Sequence, residues 1–180
     1  RLLFERILSI LLDFSGSEYG FIGEILFRDG SPFLKTYSIT DISWNDETRA
    51  LYKKYETQGM EFTNLNTLFG YCIRTGEVVI SDDPVNDPRK GGLPKGHPPL
   101  NHFMGIPIKD KHNVMIGMVG VANKKDGYSE DDLTFISPLI TICSSIISAL
   151  KNITAKEYFS DALDSYRNAI DRHAIVSVTD

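Results

Sequence analysis

Cysteine is scarce: the chain has two among its 180 residues, Cys72 and Cys143. Two cannot form the framework of a disulfide-stapled domain. Both lie in apolar helical patterns, where a thiol serves as a small hydrophobe. Histidine is scarce too, and His97, His102, His112 and His173 show no ligand spacing with a cysteine beside them, so no metal site is expected. A basic excess is missing. Nineteen Lys and Arg stand against 24 Asp and Glu, for a net charge of −5, and nucleic-acid binders usually carry a basic footprint. No apolar run of about 18 residues stands out, and Arg1 opens directly into an amphipathic pattern. No membrane span and no leader are therefore expected within this segment, and a cytoplasmic location is. No nucleophile–base pair is apparent, so a catalytic role is not expected.

What is present is an unusual connection, residues 81–108, reading SDDPVNDPRKGGLPKGHPPLNHFMGIPI. About twenty residues of it have no periodicity, and loops of that length inside a compact domain are usually functional. Pro84, Pro88, Pro94, Pro98 and Pro99 stiffen the path by fixing φ. Gly91, Gly92 and Gly96 supply positions where positive φ carries no steric cost. Such a mixture suits a loop held in one shape over a concave surface.

The elements around it follow from periodicity. Arg1–Phe14 has an apolar stripe of Leu3, Ile7, Leu8, Leu11 and Leu12 and predicts a helix stopped by Gly16. Tyr19–Phe27 and Phe33–Ile39 predict a hairpin about Asp29-Gly30. Trp44–Tyr55 predicts a short helix capped by Asn45. Asn66–Arg74 predicts another, with Leu68, Phe69, Cys72 and Ile73 on one face and Gly76 as its stop. Short strands are expected at Glu77–Ser81, Phe103–Ile108 and Val114–Ala122. In the last of these, Gly117 and Gly120 imply a closely packed helix or a bend. Ser129 and Asp132 form an acidic capping box. Beyond it Leu133, Ile136, Ile140, Cys143, Ile147 and Leu150 alternate at heptad spacing. Phe159, Leu163, Tyr166 and Ile170 repeat at four, three and four. Ala174–Thr179 alternates like a strand.

Several ordered strings resemble the GAF domain, a small sensor module of signalling proteins. They are Gly70–Val78 (GYCIRTGEV), Asp82–Pro84, Asn86–Arg89, Gly91–Pro94, Gly96–Leu100, Phe103–Ile108, Gly117–Asn123 (GMVGVAN) and Tyr128–Leu133 (YSEDDL). The resemblance covers roughly residues 1–150. It implies an α+β fold with a central antiparallel sheet of five or six strands. The terminal helices would cover one face, and the helix at Asn66–Arg74 with the long loop the other, with a pocket between. Residues 151–173 then read as a helical linker. The tail AIDRHAIVSVTD resembles the entrance of a PAS domain, so residues 174–180 read as its truncated start.

The resemblance further implies a sensory input domain of a bacterial-type signalling protein, such as a two-component sensor kinase or a cyclase. Leu68, Phe69, Cys72, Arg89, His102, Phe103 and Gly105 would line its ligand site. The ligand and any cofactor stay unnamed. Cys72 as a bilin anchor is weighed against a packed thiol, which the missing flanking motifs favour. Arg89 is read either as a grip for a carboxylate or phosphate or as a tie from the loop to Asp82, Asp83 or carbonyls. Asn123-Lys124 with Asp126, Tyr128 and Asp131 partly resembles a motif of cyclic-nucleotide-binding GAF domains, and also fits a plain strand–turn–cap role. Phe159, Leu163, Tyr166 and Ile170 are expected to pack against a second copy in a parallel homodimer through the terminal helices. A ligand-free dimerisation and relay module is the alternative function.

Overall fold

The computed structural model describes residues 2–41, 58–93 and 97–176. The helix expected at Trp44–Tyr55 and the residues Pro94 and Gly96 lie outside them. Two compact units divide the chain, Arg1–Ser145 and Ile146–Asp180.

The first unit is a six-stranded antiparallel sheet in the order β3-β2-β1-β6-β5-β4. Helix α1 (Leu2–Ser15) leads into β1 (Tyr19–Arg28) and β2 (Ser31–Ile39). Gly16, at φ 66°, ends α1 as expected. The β1–β2 turn places Asp29 at φ 51° and Gly30 at φ 77°. That double positive φ matches the right-handed twist of a hairpin, which is why Asp-Gly marks the turn. β3 (Glu61–Phe62) adds an edge to β2 and had no periodic signal to announce it. Helix α2 (Leu68–Thr75) is capped by Thr67, whose hydroxyl accepts from Gly70 N, and closed by Gly76 at φ 69°. The expected start at Asn66 therefore moves two residues on, because the hydroxyl that satisfies the first turn belongs to Thr67. β4 (Val79–Ser81), β5 (Phe103–Lys109) and β6 (Met115–Ala122) complete the sheet.

Register assigns the two faces. Gly20 pairs with Val121, and a Cβ on Gly20 would lie 3.3 Å from Leu12 of α1. One residue on, Phe21 pairs with Gly120 and its ring meets Phe69 of α2. Since successive side chains point to opposite faces, α1 and α2 cover opposite sides. Helix α3 (Glu130–Val176) begins beside α1, with the Phe14 and Phe135 rings 5.7 Å apart. Its Ile136 and Cys143 are wholly buried, and Ser144 Oγ donates to Lys109 O at 2.6 Å. The expected capping box forms: Ser129 N and Oγ donate to Asp132 Oδ2 at 2.9 and 3.0 Å.

The second unit is the continuation of α3. Leu150, Ile153, Tyr158, Phe159, Leu163, Tyr166 and Ile170 are all exposed there, at 39–71%. The strand expected from Ala174 is not seen: α3 runs through Val176, because helix propagation adds a bond per residue while an isolated strand has no partner to pair with. Residues 177–180 lie outside the described set. Residues 133–150 carry no charged side chain, and α3 is the one helix among the described residues long and apolar enough, by length and composition, to cross a membrane. Scattered Ser, Thr and Pro hide that property from a search for an unbroken apolar run.

Candidate functional site

The candidate site lies on the α2 side of the sheet. Ile25, Leu34, Leu68, Cys72, Ile73, Val79, Phe103 and Met118 form one buried cluster there, with Phe21, Phe62, Phe69 and Leu100 packed against it. Of the residues expected to line a pocket, Leu68, Cys72 and Phe103 meet in this cluster and Phe69 packs at its edge. Phe21, Phe62 and Phe69 form a mutually touching trio, with ring centroids 5.4–6.4 Å apart.

Gly105 of β5 pairs with Gly120 of β6. Two adjacent residues without side chains leave a dent in the sheet. The protein's own side chains enter it. A Cβ on Gly120 would overlap the Phe21 ring, and one on Gly105 would lie 2.6 Å from Met118 Cε and 3.0 Å from the Phe103 ring. At Gly120 the close neighbour is thus an aromatic ring of the adjacent strand, where a helix or a bend was expected. Phe21, Phe62 and Met118 were missed as site residues. Pairing Phe21 with Gly120 would have found the first, had the register been countable from sequence.

Cys72 is fully buried, and burial pushes its thiol up to about 12. Burial likewise raises Cys143, to about 11. Both are therefore neutral thiols at physiological pH, poor nucleophiles and poor metal ligands.

The long loop is folded onto the domain. Arg89 donates through Nε and Nη2 to the two oxygens of Asp87, at 2.9 and 2.7 Å, and through Nη2 to Ile80 O at 3.0 Å. Its guanidinium also lies 5.5 Å from the Tyr71 ring centre on α2. The loop tie expected of Arg89 forms: its carbonyl partner is Ile80 O, and its carboxylate partner is Asp87 rather than Asp82 or Asp83. Asp83 instead accepts from the Asn86 side chain at 2.7 Å, and Asp82 accepts weakly from Tyr128 N at 3.4 Å. Arg89 holds the Asp87 carboxyl below the usual carboxylate range, against the opposing effect of burial, with Ser81 assisting. Gly91 sits so close to Asn66 O that no side chain fits there, which presses the loop on the entrance of α2.

His102 stands apart from the cluster. Its carbonyl accepts from Asn123 N at 3.0 Å, and its ring lies near Gly127 in the β6–α3 turn. In that turn Lys124 pairs with Asp132 at 2.6 Å. Asp132 is held for that pairing by the capping box, which fixes its other carboxylate oxygen. Among the described residues no group of three or more His, Cys, Asp or Glu could hold a metal ion.

Comparison with known proteins adds context. The family model described as GAF domain matches residues 3–148. A curated relative, the methyl sulfide methyltransferase-associated sensor of Methanosarcina acetivorans, is 24% identical over 161 residues. That match covers 88% of this chain and 14% of the relative, so the chain spans about one-seventh of that protein's length. The GAF domain of a phosphoenolpyruvate-protein phosphotransferase from Coxiella burnetii superposes with a TM-score of 0.67 at 13% identity, covering 86% of this chain and 85% of that one. The type II free methionine-R-sulfoxide reductase of Thermoplasma acidophilum superposes at 0.56 with 15% identity, over 82% and 91% of the two chains.

Proposed function

The chain belongs to the GAF domain family, and on that premise we propose that it is a non-enzymatic sensory input domain of a larger signalling protein. GAF domains are sensory or regulatory, and a curated relative is itself named a sensor. In this reading a small molecule binds between α2, the long loop and the sheet, and biases two packings of the loop and α2. A ligand shifts such an equilibrium only by its differential affinity for the two states. The single observation that carries the reading is the attachment of the loop to α2 and β4 through Arg89, which binds loop and helix into one movable set. The neutral, buried thiols argue against the reductase chemistry of the Thermoplasma neighbour.

The output lies beyond this chain, in a kinase or cyclase, and the helical segment after residue 150 leads to a PAS-like module. Two copies pair in parallel through their terminal helices. Phe159, Leu163, Tyr166 and Ile170 are exposed on a stripe that a second copy would cover. A cytoplasmic location is part of the same proposal.

A specific observation favours a second reading. Phe21, Met118 and Phe103 already fill the dent over Gly105 and Gly120, as expected of a ligand-free dimerisation and relay module. Native mass spectrometry of protein purified from cells separates the two. The sensory reading expects a retained small molecule that is lost in Phe69→Ala. Bare chain mass in every charge state, with dimer intact, selects the relay module.

A further inference from the structure

The ten residues from Asn123 to Asp132 touch more of the molecule than a strand–helix connection requires. Asn123 has a left-handed backbone, at φ 60°. Its side-chain oxygen accepts from Asn101 N at 2.9 Å, and its side-chain nitrogen donates to Glu18 Oε2 at 2.9 Å and Pro99 O at 3.0 Å. One buried side chain thus clamps the end of the long loop to the start of β1. Tyr128 N reaches the beginning of the same loop at Asp82. Lys124 Nζ grips Asp132 in the first turn of α3.

The Tyr128 hydroxyl reaches α1. It lies 2.7 Å from Ser17 Oγ, which lies 2.7 Å from Ser15 Oγ, which donates to Leu11 O at 2.7 Å. The direction of this relay is fixed from its far end. Leu11 O can only accept, so the Ser15 proton is used there. Ser17 must then donate to Ser15, and Tyr128 to Ser17. Lys124 N donates to the Tyr128 oxygen at 3.3 Å and completes the head-to-tail chain. Hydrogen bonds aligned in this way polarise one another. Burial keeps the phenol protonated, pushed up to about 12.

We infer that this turn is the joint through which the state of the long loop reaches both terminal helices, with Asn123 and Tyr128 as its positioning residues. Asn123 holds the loop, Tyr128 holds the exit of α1, and Asp132 holds the entrance of α3. The inference deepens the sensory reading and rests on it, since a joint matters only if a signal crosses it.

The test needs no ligand. Amide hydrogen exchange is followed by NMR in the intact chain and in Tyr128→Phe, which removes one oxygen and keeps the ring. Faster exchange, by about tenfold for a bond loss near 1.4 kcal/mol, is expected at Ser17 and Glu18 on one side and at Asn101 and Asn123 on the other. Tyr71 and Gly76 in α2 should be unchanged. Ser17→Ala is the second variant: it should speed exchange at Asn101, which Ser17 does not touch. Ile25→Val, a core change, should leave these locally opening amides alone. Changes confined to residues 124–129, or spread equally over every amide, would overturn the joint. That result would leave the sensory reading standing, whereas failure to find a retained small molecule would leave the joint intact.

Discussion

Replacing Arg89 with alanine is expected to cost the first unit about 2 kcal/mol and to lower its melting temperature by roughly 6 °C. The Asp87 side chain is 8% exposed, and the substitution leaves its charge with only the backbone N–H of residue 89 and the Ser81 side chain as protein partners. Arg89 is 29% exposed, which holds the expectation below the range for fully buried pairs. The effect should depend on pH. Asp87 titrates below its unfolded value in the folded protein, so the pair contributes fully above the unfolded value of about 3.9. That contribution is lost as pH falls through 3.9 toward the folded value. Urea unfolding from pH 7 to pH 3 should therefore show the widest gap between wild type and Arg89→Ala above about pH 5, closing in acid. A gap below about 1 kcal/mol, or one that ignores pH, would mean the loop is held by something else.

The second large effect concerns assembly. In the proposed parallel dimer, Leu163 and Tyr166 lie at the seam of α3, and both are exposed in the single chain. Changing both to lysine removes four buried side chains from the pair and sets like charges face to face. Sedimentation equilibrium should show the dimer weakened at least 100-fold, or about 2.7 kcal/mol. Lysine is a good helix former, so helix content should hold. A dimer that keeps its affinity would move the interface elsewhere, with Phe14, Phe135 and Ile142 among the exposed apolar side chains of the first unit.

Local chemistry was legible in the sequence wherever a residue acts on its chain neighbours. Asp29-Gly30 announced its turn, Gly16 and Gly76 their stops, and Ser129 with Asp132 their box, because positive φ and caps are decided within a few residues. The α2 face was legible too, since Leu68, Phe69 and Cys72 share one helical stripe. What escaped depends on pairing across distance. The two-residue β3 has no period to detect. The choice of Asp87 over Asp82 or Asp83 for Arg89 turns on how the loop folds back, which spacing does not fix. Phe21 became a site residue only once strand register laid it over Gly120. Hydroxyls such as Ser15 and Ser17 look like loop filler until Tyr128 is brought to them across 111 positions.

The central claim is that the loop and α2 form one set whose state is passed to the terminal helices. Hydrogen exchange of the whole chain, read peptide by peptide with and without the small-molecule fraction of a cell lysate, tests it most directly. Protection rising together in residues 68–75, 82–93 and 97–102, and also in α1 and the first turns of α3, is the predicted result. Protection confined to residues 68–102, with both terminal helices unmoved, would contradict it.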